Sequence, residues 1–169
     1  MNEQALSELA LRLELENLLF QEARLLDEEQ FNAWLELLAD DLRYWAPVRM
    51  VRERGREDPF DAGKYAFFDE TKADITRRVQ RVQTGLAHTD EPPARTRHNI
   101  SNVQILESTP NAVRVASNFF VFRSRGERQQ LFFVGARQDR WRRSPAGWRL
   151  EERRITLDNQ AVETITVFF

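Results

Sequence analysis

The sequence has no cysteine and only two histidines, His88 and His98, among its 169 residues. The absence of cysteine excludes disulfides, iron–sulfur clusters held by thiolates and cysteine zinc sites within this chain. It also fits a reducing compartment, so we expect a cytoplasmic protein. A chain of this length fits a single domain, residues 1–169, and buries enough surface to fold without a disulfide or a metal.

Long apolar runs are also missing. No segment approaches the ~18 residues that a transmembrane helix needs. The first ten residues, MNEQALSELA, carry no basic stretch and no small-residue cleavage site, so we expect no signal peptide. The net charge is −2, from 25 basic and 27 acidic residues, without the basic excess typical of nucleic-acid-binding proteins. We therefore expect neither a membrane nor a nucleic-acid partner.

Arginine and phenylalanine are abundant. Of the 25 basic residues only Lys64 and Lys72 are lysines, and 12 residues are phenylalanine. Coding bias explains the preference for arginine, and so does a role in buried or interface ion pairs, where its planar group binds carboxylates through two bonds. The aromatic content indicates a large core or subunit contacts.

These residue types predict that the chain self-associates, because the centres of protein interfaces favour aromatic residues and arginine. The alternative is that Trp45 and Trp141 are ordinary core residues. The candidate contact residues are Trp45, Arg49, Trp141, Phe168 and Phe169.

Hydrophobic periodicity predicts helices in the first half of the chain. Residues 4–26 form the first, Asp27 is positioned to cap a second, and Asp69 a third. The first helix is apolar over a broad arc, which is typical of a helix buried on more than one side. One of its faces carries Leu6, Leu9, Leu13 and Phe20, and another carries Leu11, Leu15 and Leu18.

Alternating apolar residues predict strands elsewhere. One strand covers Leu42–Met50, and an exposed loop follows over residues 51–64. From Arg97 onward the chain is almost entirely strand, with a bulge near Ser101–Asn102 and a last strand at Ile165–Phe169. Helices followed by consecutive antiparallel strands predict an α+β fold with helices on one face of a curved sheet.

Few residues are positioned for catalysis or metal binding. His88, Asp90 and His98 are the one set that could form an iron site, but no single rigid element holds them. The sequence contains no phosphate-binding glycine loop and no nucleophile elbow. The remaining candidates for acid–base catalysis are four carboxylates, although most such residues are helix caps or surface groups: Asp40, Asp41, Glu70 and Asp74.

Several stretches, taken in order, resemble a known family. They are QEARLLD (residues 21–27), RYWAPVR (43–49), RVQRVQTG (78–85), EPPARTRH (91–98), GARQDRW (135–141) and VFF (167–169). The family is the small (β) subunit of aromatic-ring-hydroxylating dioxygenases, the Rieske non-heme iron oxygenases, and the pattern is similar to members acting on biphenyl, toluene or polycyclic arenes. The resemblance implies a cystatin-like, NTF2-like α+β fold.

The resemblance also implies that the two kinds of subunit have different roles within an α3β3 hexamer. The large α subunit holds the Rieske [2Fe–2S] cluster and the mononuclear iron, and a ferredoxin and a reductase supply electrons. The β subunit then has no cofactor and no catalytic residue, and it acts as a structural component. In that role we expect Arg97 and His98 to anchor the loop that contains Pro92 and Pro93, through charge-assisted hydrogen bonds.

A stand-alone enzyme is the competing hypothesis. The NTF2-like fold also hosts isomerases and dehydratases that use a carboxylate or histidine in an apolar cone, and fold alone does not decide function. In this hypothesis His98 pairs with Asp40 or Asp41. The charged run around Trp141, residues 137–143, fits either a solvated strand end or a subunit contact.

Overall fold

Three helices and six strands make up the part of the chain that the structure, a computed structural model, describes. The described residues are 2–48, 65–84, 94–126, 129–159, 165 and 167–169. In chain order the elements are α1 (Glu3–Asp27), α2 (Phe31–Glu36), β1 (Leu38–Pro47), β2 (Ala66–Thr71), α3 (Lys72–Gln83), β3 (Arg95–Ser108), β4 (Ala112–Arg125), β5 (Gln129–Ser144) and β6 (Gly147–Leu157).

Helix α1 confirms the prediction made for residues 4–26. The side chain of Asn2 caps it by accepting a hydrogen bond from the Ala5 N–H at 2.9 Å. Its second half buries Leu15, Leu19 and Leu26 against the sheet. No helix among the residues described is long and apolar enough to cross a membrane.

The two shorter helices begin differently from the prediction. Asp27 is the last residue of α1 and caps nothing, while α2 follows Gln30, whose side chain makes no capping bond. Helix α3 is capped by Thr71 in a reciprocal capping box with Asp74. Asp69, the predicted cap, lies instead in β2.

The six strands form one sheet in the order β2-β1-β6-β5-β4-β3. All neighbouring strands are antiparallel except β1 and β6, which run parallel. The predicted bulge near Ser101–Asn102 is confirmed, since the β3–β4 register shifts there and Asn102 has φ 53°. Pro47 lies where β1 shifts register against β2, which fits a residue that cannot donate a main-chain hydrogen bond.

Three further secondary-structure predictions are wrong. Strand β2 was not expected, because the sequence around it fitted the start of a helix. Asp40 and Asp41, for which helix caps were one interpretation, lie within β1. The described residues of the predicted last strand, 165 and 167–169, are not in strand conformation.

The core lies between α1, α2 and the inner face of the sheet, and the last residues of the chain enter it. Trp141 and Phe169 are completely buried, and Phe168 is 6% exposed. These three residues therefore cannot form a contact surface on the folded chain, and their assignment as contact residues is wrong. Their side chains fill the interior, where each large apolar group contributes about 1.5–3 kcal/mol by burial.

The structure does not contradict the other two candidate contact residues, Trp45 and Arg49. Trp45 is half-buried on the outer face of the sheet, with the Arg43 guanidinium 4.3 Å from the centre of its ring. Its assignment as a contact residue stays a prediction. Arg49 lies outside the described residues.

Candidate functional site: a buried ionic cluster

Four charged side chains meet inside the protein between α1 and the sheet, and we call them the ionic cluster. Glu22 comes from α1, Arg137 and Asp139 from β5, and Arg153 from β6. All four are buried, with at most 2% of each residue exposed. On β5 the two residues alternate with outward-facing neighbours, so the strand period of two directs both side chains inward.

Arg153 uses all of its hydrogen-bonding capacity within this cluster. Two bonds reach Glu22 at 2.7 and 2.8 Å, and two reach Asp139 at 2.8 and 2.7 Å. Its fifth N–H donates to the main-chain oxygen of Phe169 at 2.6 Å. Since a guanidinium has five donors, none remains for a ligand.

Arg137 and Trp34 complete the surroundings of Glu22. The Trp34 Nε1–H donates to Glu22 at 3.1 Å. The Nη2 of Arg137 lies 3.2 Å from the same carboxylate without hydrogen-bond geometry, and its Nε donates to Ser117 Oγ at 3.2 Å. Two buried cations are thus matched by two buried anions, which is the condition under which such charges are tolerated inside a protein.

The electrostatics of the ionic cluster oppose proton transfer near neutral pH. Burial raises the pKa of Glu22, but the charges of Arg153 and Arg137 outweigh burial and lower it to about 2. Burial raises the pKa of the neighbouring Tyr44 to about 12. A general acid or base works best with a pKa close to the operating pH, so neither group is suited to that role.

The final two residues fill the rest of the interior. Tyr44 bonds the main chain of Phe169 twice: its hydroxyl donates to the oxygen at 2.8 Å and accepts from the N–H at 2.6 Å. The Phe169 ring packs on Phe119 and Phe133, with centroids 5.2 and 5.5 Å away. Phe168 packs on Trp34 at 4.7 Å. The last two residues of the chain are therefore part of the hydrophobic core.

His98 anchors two other parts of the chain. Its Nδ1 lies 2.5 Å from Asp27 Oδ1, and its Nε2 lies 2.8 Å from the main-chain oxygen of Phe168. The His98 main-chain N–H also donates to the Asp27 carboxylate at 3.1 Å. His98 thereby joins the end of α1 to β3 and to the last residues. Arg97 is largely exposed, with its Nη1 3.6 Å from Asp27.

The predicted role of Arg97 and His98 in holding the proline-containing loop stays a prediction, because residues 85–93 lie outside the described residues. The predicted pairing of His98 with Asp40 or Asp41 is wrong. Asp40 pairs with Lys72 at 2.8 Å, and Asp41 pairs with Arg142 at 2.9 Å, both on the surface.

The other candidate groups also have structural partners. Glu70 pairs with Arg78 at 2.6 Å, and Asp74 completes the cap of α3. His88 and Asp90, from the candidate iron site, are outside the described residues. Within the described ranges, no group of histidine and acidic side chains is arranged to hold a metal ion.

The sequence did not predict the buried contacts of Glu22, Asp27 and Arg153. One signal was present: Arg137, Asp139 and Trp141 alternate on one side of β5, so a buried tryptophan implies that the two charged residues also point inward. The interpretation of this run as a solvated strand end holds only for its outward-facing members. No comparable signal marks Glu22, because acidic residues occur throughout α1.

Comparisons with known proteins agree with this arrangement. Residues 21–164 match the family model described as ring hydroxylating beta subunit. The chain is 40% identical over 158 residues to the β subunit of 3-phenylpropionate/cinnamic acid dioxygenase from Photorhabdus laumondii, covering 91% of this chain and 87% of that relative.

Solved structures show the same fold. A chain of naphthalene 1,2-dioxygenase superposes with a TM-score of 0.84 at 24% identity, covering 100% of this chain and 95% of that one. The β subunit of benzoate 1,2-dioxygenase from Burkholderia mallei gives 0.74 at 21% identity, covering 91% and 95%. The predicted NTF2-like α+β fold is confirmed.

Proposed function

The chain belongs to the ring-hydroxylating β-subunit family, and we propose that it is a structural subunit with no catalytic centre of its own. In this proposal three copies hold three large α subunits in an α3β3 hexamer. The hexamer cis-dihydroxylates an aromatic hydrocarbon and receives electrons through a ferredoxin and a reductase. We also propose that residues 1–169 form one domain, since one core joins α1, the sheet and the last residues.

The filled interior is the observation that carries this proposal. A substrate site needs a cavity with a few polar groups directed into it. Here the donors of Arg153 are all used, the hydroxyl of Tyr44 is bonded to Phe169, and both ring nitrogens of His98 have partners. These contacts support the proposal that chemistry on a substrate takes place in another subunit.

The composition of the chain supports placing the metal centres in the α subunit. A Rieske cluster requires two cysteine and two histidine ligands, and this sequence has no cysteine. The choice of aromatic substrate then depends on the pocket of the α subunit. The relative from Photorhabdus laumondii is named for 3-phenylpropionate and cinnamic acid, and we extend to this chain only an aromatic substrate.

Co-purification with the large subunit tests the proposal. We expect the tagged chain, expressed with a large subunit encoded beside it, to form a complex whose mass by native mass spectrometry fits three copies of each. Iron and Rieske absorbance should follow the large subunit. Stoichiometric iron in the separately purified chain, lost in His98→Ala or His88→Ala, would contradict the proposal, and so would the failure of any large subunit to co-purify.

A further inference from the structure

Residues 167–169, which we call the strap, are held in the interior by side chains. All three are buried, with at most 6% of each residue exposed. They are not in strand conformation, and among the described residues no main-chain hydrogen bond joins them to a helix or a strand. The strap is therefore packed in the core without being part of the sheet.

The first two carbonyl oxygens of the strap are bound by α3 and β3. The main-chain oxygen of Val167 accepts a hydrogen bond from Arg78 Nη2 at 3.3 Å. The main-chain oxygen of Phe168 lies 2.8 Å from His98 Nε2, and because a carbonyl oxygen can only accept, this ring nitrogen donates. The Arg78 guanidinium also lies 4.4 Å from the centre of the Phe168 ring. Arg78 thus contacts both the main chain and a side chain of the strap.

The third residue of the strap is bound by β1 and β6. The Tyr44 hydroxyl bonds both the N–H and the oxygen of Phe169, and Arg153 donates to the same oxygen at 2.6 Å. Side chains from four elements therefore bind three consecutive residues, much as a receptor binds a peptide ligand. A segment held in this way can leave its site without breaking any pairing between strands.

We propose that the strap opens and closes as a unit while the sheet stays folded. Opening the strap breaks only hydrogen bonds to side chains, whereas removing β6 breaks its main-chain pairing with both β1 and β5. Parts of a protein with separate contacts open with their own free energies, which lie below that of global unfolding. The inference concerns this chain alone and does not depend on binding of a large subunit.

The closed strap also joins the two short helices to the core. Phe168 packs on Trp34 of α2 at 4.7 Å and on Phe31 at 5.8 Å, and Arg78 of α3 contacts the same ring. Opening removes these contacts from both helices together. It also leaves a donor of Arg153 without its partner in the strap, and a buried donor of this kind needs water in its place. Closure of the strap therefore completes the ionic cluster and fixes α2 and α3.

Hydrogen exchange on the full chain, followed by NMR, tests the inference at single amides. The Phe169 N–H reports on the strap, and the paired amides of β4 and β5 report on the sheet. We expect the Phe169 amide to exchange at least about 10-fold more slowly than in a free peptide of residues 165–169, and at least about 100-fold faster than the sheet amides. Its rate should also depend less on denaturant, because opening exposes less surface than global unfolding.

A substitution outside the strap separates the two kinds of opening. Val113→Ala removes buried methyl groups at the start of β4, and it destabilises the closed and the open strap equally relative to the unfolded chain. We expect the sheet amides to exchange about 10-fold faster or more, while the rate of the Phe169 amide stays unchanged. If the strap opened only with the whole chain, both rates would rise by the same factor.

The two tyrosines of the chain provide a matched pair of variants. Tyr44→Phe removes the hydroxyl that bonds Phe169, and we expect exchange of the Phe169 amide to become about 10-fold faster. Tyr65→Phe is the control, because Tyr65 is 67% exposed and the change should leave this rate as it is in the parent. Circular dichroism shows whether each variant keeps the fold.

Three results overturn the inference. A Phe169 rate equal to that of the sheet amides, or one that rises with them in Val113→Ala, indicates that the strap opens only when the chain unfolds. A rate equal to that of the free peptide indicates that the strap is not closed. Equal effects of Tyr44→Phe and Tyr65→Phe indicate that the hydroxyl does not hold it. None of these results bears on co-purification with a large subunit, so the proposed function is tested separately.

Discussion

Replacing Glu22 with glutamine would show how strongly the ionic cluster holds helix α1 on the sheet. The change keeps the shape of the side chain and removes one of the two negative charges facing Arg153 and Arg137. Both guanidinium groups then stay buried with only Asp139 to balance them. Removing one partner of a buried ion pair generally costs about 3–5 kcal/mol, and we expect the free energy of unfolding at pH 7 to fall by that amount.

The pKa of Glu22 gives a second value for how much its charge stabilises the folded state. Burial raises it and the two arginines lower it, from an ordinary value of 4.5 to about 2. At about 1.4 kcal/mol for each tenfold change, that difference corresponds to about 3 kcal/mol. Because the folded-state pKa is the lower one, this stabilisation is fully present above about pH 4.5 and is lost as the pH falls toward 2. Glu22→Gln should therefore lose less stability than the parent over this range.

Denaturant unfolding followed by circular dichroism, repeated from pH 7 downward, measures both effects. Glu16→Gln is the matched control, since Glu16 lies on the same helix and makes only a surface pair with Arg12. Such surface pairs are worth about 0–1 kcal/mol. If both variants changed the free energy of unfolding equally, or if the pH dependence of Glu22→Gln matched that of the parent, the reasoning about the ionic cluster would be refuted.

Three further substitutions test the packing of the interior, the contacts of His98 and the pairing of β5 with β6. Phe169→Ala should lower the free energy of unfolding by about 3–5 kcal/mol in denaturant titrations, because it leaves a cavity among buried rings; an unchanged value would contradict the packing. His98→Ala should lower the melting temperature and hexamer yield, as the contacts with Asp27 and Phe168 are lost, while turnover per assembled hexamer is kept; a loss of roughly 10²–10⁴ in turnover at unchanged stability would instead indicate acid–base catalysis. Gly135→Ala should prevent folding, measured by soluble yield and circular dichroism, because its Cβ would lie 2.0 Å from the main-chain oxygen of Thr156; a folded variant would contradict the close approach of β5 and β6.

Local patterns predicted the long elements and missed strand β2. Helix α1 and strands β3 to β6 each extend over at least 11 residues, so their periodicity repeats several times. Strand β2 has only six residues, and Thr71 at its end is also the cap of α3. The parallel pairing of β1 with β6 joins residues more than a hundred positions apart, and no local pattern encodes it.

The ionic cluster was missed because local sequence patterns do not encode contacts between distant residues. Each of its residues is a common surface type, and only the pairing of distant elements shows that Glu22 and Arg153 meet. The role of the last two residues was misjudged for a related reason. A pair of phenylalanines at the end of a chain fits a contact surface as well as a core, and the contacts of Phe169 with Phe119 and Phe133 decide between them.

The titratable groups around Phe169 are poorly suited to proton transfer near neutral pH. A smaller residue at position 169 would open space beside Tyr44 and Arg153, but the groups facing that space have protonation states fixed far from neutral pH. The acidic and basic groups of the ionic cluster are bonded to one another and to the main chain. Their bonds join α1, β1, β5, β6 and the last residue into one unit. An interior joined in this way fixes α1 relative to the sheet, as the proposed structural role requires.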